Sequence, residues 1–184
     1  QLIENDSKNP YTRENIPQYA IDSFLARIEE LKKNKIIIKD LEQPKLTKEQ
    51  LFNAYVFKIF QKIDILNVSA GGTNIRWFTD LNLLQLKMLY KILEDIWNYR
   101  SELSIDKKKA IVPNKTMFLV SVNDVYKMIK KRPLQKILLA EIDTLVSSAE
   151  TIEDKITGSY FVLTALVEVS QPCMEALPWL IQHS

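Results

Sequence analysis

One His, one Cys and three Gly in 184 residues leave little of the equipment from which enzyme sites are built. Cys173 and His183 are the only thiol and imidazole. Together they outline a Cys–His pair, but nucleophilic catalysis also needs an orienting third group, and His183 stands next to the last residue, where order is usually poor. Two soft ligands do not complete a tetrahedral zinc site. The carboxylate pairs Glu94-Asp95 and Glu153-Asp154 are adjacent in sequence, so their side chains diverge on a helix. Asp95 and Glu168 fall among apolar residues. Buried, they would open a route to carboxylate chemistry. Pairing with an arginine, Arg76 being one candidate, or with backbone N–H groups is the simpler reading, because an unpaired buried carboxylate is costly. Gly71-Gly72 lacks the Gly-Lys-Ser/Thr of a phosphate loop and follows no strand pattern, so it reads as a flexible loop. No catalytic residue, metal, cofactor or small-molecule ligand is assigned.

Two other groups of residues suit binding. From Ser104 to Lys136 there are nine Lys and Arg against two Asp; from Ile137 to Ser184 there is one Lys against seven Asp and Glu. Such asymmetry predicts either opposed, separately solvated stretches or a basic docking face. Within the basic stretch, Lys127, Lys130 and Lys131 share one face if they lie on one helix, with Arg132 beside them. A phosphate backbone would fit there, although only Tyr126 is interleaved for stacking. The second group is aromatic. Trp179 lies in Ala176-Leu177-Pro178-Trp179-Leu180-Ile181. If that C-terminal helix is amphipathic and partly exposed, Trp179, Leu180 and Met174 form a protein-docking patch.

These side chains need a scaffold, and the chain predicts a helical one. Apolar residues make up 46% and charged residues 26%, enough for a core and ordinary for a soluble protein. No apolar run is long enough for a membrane span, and no charged segment followed by an apolar stretch opens the chain as a signal peptide would. A single cysteine fits a reducing interior. The expected location is therefore intracellular, not secreted and not membrane-bound. The chain opens at Gln1, as a fragment or processed product would.

Residues 1–16 read as an extended segment and 17–184 as one helical domain. Pro17 suits a helix start, and Ile21, Phe24, Leu25, Ile28 and Leu31 recur at helical spacing to about Asn34. Ile36-Ile37-Ile38 suits a short strand or an extended packing segment. Thr47 and Gln50 form a capping box ahead of a stripe running Leu51, Phe52, Tyr55, Val56, Ile59, Phe60, Ile63, Leu66. In 81–100, Leu83, Leu86, Leu89, Tyr90, Leu93, Ile96 and Trp97 share one face, while Leu81, Leu84, Met88, Ile92 and Tyr99 share the opposite one. A helix apolar on two sides is packed on two sides, so 81–100 is expected at the centre. Ser104, Ser121 or Asn123, Pro133 and Pro172 mark further helix starts, and 160–169 reads as a second buried element. The expected fold is all-α, an irregular bundle of seven or eight helices around 81–100.

Three stretches also resemble a known group. Asn9-Pro10-Tyr11-Thr12-Arg13 with Ile16-Pro17, Leu86 to Arg100 ending Asp95-Ile96-Trp97-Asn98-Tyr99-Arg100, and Ala176-Leu177-Pro178-Trp179 resemble uncharacterised proteins of nucleocytoplasmic large DNA viruses, the giant viruses. The Lys- and Ile-rich composition suits an AT-rich genome. The resemblance implies viral origin, with a place in infected host cytoplasm or the virion, and it carries no catalytic residues over. The expected function is a non-enzymatic scaffold or adaptor that binds another protein, viral or host. Nucleic-acid binding through Lys127–Arg132 is the alternative, and an enzyme with carboxylate chemistry a more distant one.

Overall fold

The computed structural model describes residues 15–33, 46–67 and 71–183. The chain divides into two compact units, Gln1–Lys45 and Leu46–Ser184. The described residues hold nine α-helices and no strand. Most of the extended segment 1–16 and the Ile36–Ile38 strand expectation lie outside the described residues.

The first unit contributes helix α1, Gln18–Lys33. Pro17 stands just outside it, its carbonyl accepting from the Ala20 and Ile21 N–H groups. The expected apolar stripe is not a core stripe throughout: Ile21 is buried, Ile28 and Leu31 are half-buried, and Phe24 and Leu25 are exposed.

The second unit begins with α2, Lys48–Leu66. Its capping box is formed as the sequence predicts: Thr47 Oγ1 accepts from the Gln50 N–H at 3.1 Å and Gln50 Oε1 from the Thr47 N–H at 2.8 Å. Val56, Ile59, Phe60 and Ile63 face the core, while Leu51 and Tyr55, at the two ends of the predicted stripe's first turns, are exposed. Gly71 and Gly72 both take positive φ, 77° and 92°, which favours glycine. Just beyond them the Thr73 N–H donates to Asp64 Oδ1 at 2.6 Å, tying the turn back to α2.

Helix α3, Arg76–Thr79, inserts Trp77 and Phe78 into the core. Helix α4, Leu83–Asp95, starts on a second capping box, Asn82 with Gln85. It continues as a π-helical turn, Ile96–Arg100, closed by the Ser101 N–H donating to the Ile96 carbonyl at 3.0 Å. Serine caps start α5, Ile105–Ile111, and α6, Val122–Lys127. Then come α7, Lys131–Ser147, and α8, Ile152–Val169, the latter capped by Thr151. Helix α9, Gln171–Ala176, carries Pro172 in its first turn, and a 3₁₀ segment, Pro178–His183, follows it.

The all-α architecture agrees with the sequence, but its centre lies elsewhere than expected. Helix α8 packs against α2, α4, α5, α7, α9 and the 3₁₀ segment. It crosses α7 so closely that Gly158 meets the Leu145 backbone: a Cβ there would stand 2.1 Å from the Leu145 carbonyl oxygen. Helix α4 buries only one face, through Leu86, Leu89, Tyr90 and Leu93. On its other side Leu84 and Met88 are 61% and 40% exposed, and Tyr99 in the π turn is exposed as well. Of that second stripe, Leu81 is buried and Ile92 half-buried. The expectation of a helix enclosed on both sides is therefore corrected: no neighbour within the second unit covers Leu84 and Met88.

Candidate functional site

The uncovered side of α4 is one wall of a groove of about 520 Å³. Leu84, Met88 and Ile92 line it from α4, one helical turn apart, and Tyr126 lines it from α6. Lys87 steadies the α6 side, its Nζ donating to the Tyr126 carbonyl at 2.7 Å. Lys91 lies on the rim, and Asp95, Arg100 and Glu168 form a charged end.

The π turn builds that end. Arg100 follows Asp95 by five residues, and the wide turn brings Arg100 Nε to 2.8 Å from Asp95 Oδ2. Arg100 Nη1 donates to Glu168 Oε1 of α8, also at 2.8 Å. The hydrogen bond and charge of Glu168, followed by those of Asp95, outweigh partial desolvation and raise the Arg100 pKa above its ordinary value. The arginine thus straddles two carboxylates from different helices and fixes the π turn to α8. Asp95 and Glu168 meet at one site, but neither is buried as the sequence suggested, and their partner is Arg100 rather than Arg76, which lies near Asp80 instead. The groove is apolar along its length and ionic at one end, a form suited to holding an amphipathic segment. Among the described residues no three of His, Cys, Asp and Glu gather as metal ligands would.

The basic residues do not form the predicted helix face. Helix α6 ends at Lys127, Met128 is extended, and α7 starts only at Lys131. The i, i+3, i+4 relation among Lys127, Lys130 and Lys131 is therefore broken by a chain bend. Lys127 pairs with Asp124 at 3.0 Å, and Lys131 donates to the Thr79 carbonyl at 3.0 Å. Arg132 pairs with Glu49 and lies over the Phe52 ring, 3.8 Å from its centroid; Lys130 is exposed. Earlier in the basic stretch, Lys107 Nζ sits 2.5 Å from Asp154, so that stretch and the acidic one that follows partly neutralise each other within the fold.

The C-terminal aromatic patch is also smaller than predicted. Pro178 ends the helix, and Leu180 turns into the core, 2% exposed. Met174 packs half-buried against that core, leaving Trp179 as the open member, tilted against Tyr160 with ring centroids 5.9 Å apart. Cys173 is fully buried, and desolvation pushes its thiol pKa up to about 12, so it is an inert core residue. The side chain of His183 lies outside the described residues.

Sequence reasoning missed Leu84 and Met88 as surface residues, although it marked both as members of a surplus apolar face. It missed Arg100 altogether, because no periodicity links Arg100 to Glu168. Among the described residues, no helix is long and apolar enough to cross a membrane. In comparison with known proteins, no family model, curated protein or solved structure matches this chain.

Proposed function

We propose that this chain is a non-enzymatic adaptor that binds another protein through the open face of α4. The observation that carries the reading is the exposure of Leu84 and Met88 on a helix whose opposite side is already core. A concave apolar surface with a charged rim is a common protein-docking form. Methionine suits such a surface because its unbranched, polarisable side chain adapts to varied partners. The occupant is an amphipathic helix of the partner: its apolar stripe lies along Leu84, Met88 and Ile92, and its polar end meets the Asp95–Arg100–Glu168 group.

Asp95 and Glu168 serve as structure in this reading. Both carboxylates are engaged by one guanidinium, an arrangement that positions the π turn. Trp179 extends the binding surface as a separate contact. The resemblance to giant-virus proteins supports a viral adaptor acting in infected cells, on a viral or host protein.

The test is photo-crosslinking from position 88. A photoreactive residue replacing Met88 should capture a partner through one contiguous helical segment, identified by mass spectrometry of the crosslinked peptide. Leu84→Glu should abolish capture while leaving the melting temperature of the chain unchanged. Capture that persists in Leu84→Glu, or that scatters over unrelated peptides, would overturn the reading.

A further inference from the structure

A second groove, of about 600 Å³, opens between the start of α2 and the first half of α7. Its floor is apolar: Phe52, Leu51 and Tyr55 from α2, and Leu139 from α7. Leu51 is 55% and Tyr55 43% exposed, so the floor is open to an incoming side chain. The Tyr55 hydroxyl donates to Asp143 Oδ2 at 3.3 Å, which fixes the ring against the wall. Three cations stand around this floor, Lys48, Arg132 and Lys136, against Glu49 in the lining and Asp143 behind Tyr55, the latter already paired with Lys62. Helix α7 adds to the positive field. It begins here with Lys131 and Arg132, with no acidic residue in its first turn and no side-chain cap, so its positive pole is reinforced instead of neutralised.

Arg132 is the best-defined group. Its guanidinium carbon lies over the Phe52 ring, 3.8 Å from the centroid, a cation–π contact that anchors the side chain. Glu49 engages Nη2, while Nη1 is out of solvent with no acceptor. Nη1 is closed to an incoming group, so a visiting carboxylate reaches this guanidinium on the side that Glu49 now occupies.

We infer that this groove binds an acidic peptide segment carrying apolar side chains, its carboxylates meeting Arg132, Lys48 and Lys136 and its apolar groups resting on Leu51 and Tyr55. Charge complementarity selects the acidic partner, and the floor selects a peptide over a nucleic-acid strand. Stacking of successive bases needs several free aromatic faces; here Arg132 covers the Phe52 face and Tyr55 alone is open. Glu49 acts as an internal competitor that an incoming carboxylate displaces. The groove shares no lining residue with the α4 groove, so an adaptor of this form would bridge two partners.

The experiment uses the full chain and a fluorescein-labelled synthetic peptide alternating Glu with Leu and Phe, read by anisotropy at low salt. All-glutamate peptide of equal charge and a single-stranded oligonucleotide serve as competitors. The acidic–apolar peptide should bind, and Lys48→Glu with Lys136→Glu should weaken it by about tenfold or more. Both lysines are exposed, so these reversals leave the fold intact. Glu49→Gln should tighten binding by about threefold, a gain that a purely structural Glu49–Arg132 pair would not give. Leu84→Glu should leave this binding unchanged, which separates it from the α4 groove. Absence of binding, indifference to the lysine reversals, or stronger competition by the oligonucleotide or the all-glutamate peptide would overturn the inference.

Discussion

Helices α4 and α8 carry the same kind of surplus, more apolar residues than one stripe requires, and the fold treats them differently. Helix α8 is surrounded: Val162, Leu163, Ala165, Leu166, Val167 and Val169 are all buried, and glycine at 158 lets the α7 backbone touch it. Helix α4 is covered on one side and bare on the other. Apolar width on a helix signals a demand for neighbours. It does not say whether those neighbours belong to the same chain. In α8 they do; in α4 one set is missing among the described residues of the second unit, and that gap is the strongest functional signal there.

The sharpest way to break this comparison is to disturb the α7–α8 crossing. Alanine in place of a mid-helix glycine ordinarily stabilises a helix by about 1 kcal/mol. At position 158 the sign should reverse, because the added Cβ meets a backbone carbonyl that cannot move aside without separating two helices. Gly158→Ala should cost about 3 kcal/mol or more, read as a lowered denaturant midpoint or failure to fold. A stability gain would mean that the crossing is looser than described.

The next test works on the two faces of α4. Leu89→Ala removes a fully buried side chain and should cost about 2–5 kcal/mol. Leu84→Ala, one face away, should cost no more than about 0.5 kcal/mol. Equal losses would show that the exposed face is covered in solution by something the second unit does not supply, such as another copy of the chain, and concentration-dependent melting would then identify it.

Much of this fold was legible in advance. The caps at Thr47, Ser104 and Ser121 are local chemistry, fixed by side chains within three residues of the groups they satisfy. The core positions of α2 and the buried face of α4 follow from periodicity. What was not legible depended on tertiary context. The chain bend at Met128 separates lysines whose spacing fits a helix, and no strong breaker marks it. The π turn shifts the register after Asp95, which places Arg100 between two carboxylates that a regular helix would leave to other partners. The docking patch that includes Leu180 presupposes an amphipathic, partly exposed C-terminal helix, but the helix stops before Pro178 and Leu180 turns inward. The groove beside Arg132 arises from two helices distant in sequence, so no window of residues contains it.

A subtler contrast concerns acid. Asp154 is held below the ordinary carboxylate range, chiefly by the Lys107 hydrogen bond and then by Thr151. Asp143 also lies below it: burial alone would raise it, but hydrogen bonds from Lys62 and Ser147, the Lys62 charge and Tyr55 prevail. A depressed folded-state pKa contributes stability that is present above the unfolded value and is lost as pH falls through the folded one. Stability should therefore decline on acidification through the carboxylate range. Asp154→Asn should flatten that decline, and a pH series of denaturant midpoints would show it. An unchanged acid limb would mean that Lys107 and Asp154 do not pair in solution.

Glu141 should show the smallest effect, with the opposite sign. It is partly buried beside Tyr90 and accepts the Phe118 N–H at 3.2 Å. Desolvation raises its pKa more than that hydrogen bond and the Lys115 charge lower it. For a raised carboxyl, the stabilising contribution is complete below the unfolded pKa and disappears as pH rises through the folded value. At neutral pH the ionised side chain is thus a net cost of the fold, retained with a hydrogen bond that holds Phe118 at its positive φ of 56°. Glutamine keeps the acceptor oxygen and removes the charge. Glu141→Gln should raise the melting temperature slightly at neutral pH and leave it unchanged near pH 4, in the ordinary carboxylate range. A fall at neutral pH would mean that attraction to Lys115 outweighs desolvation, and that this acid belongs with Asp143 and Asp154 among the carboxylates that hold the fold together.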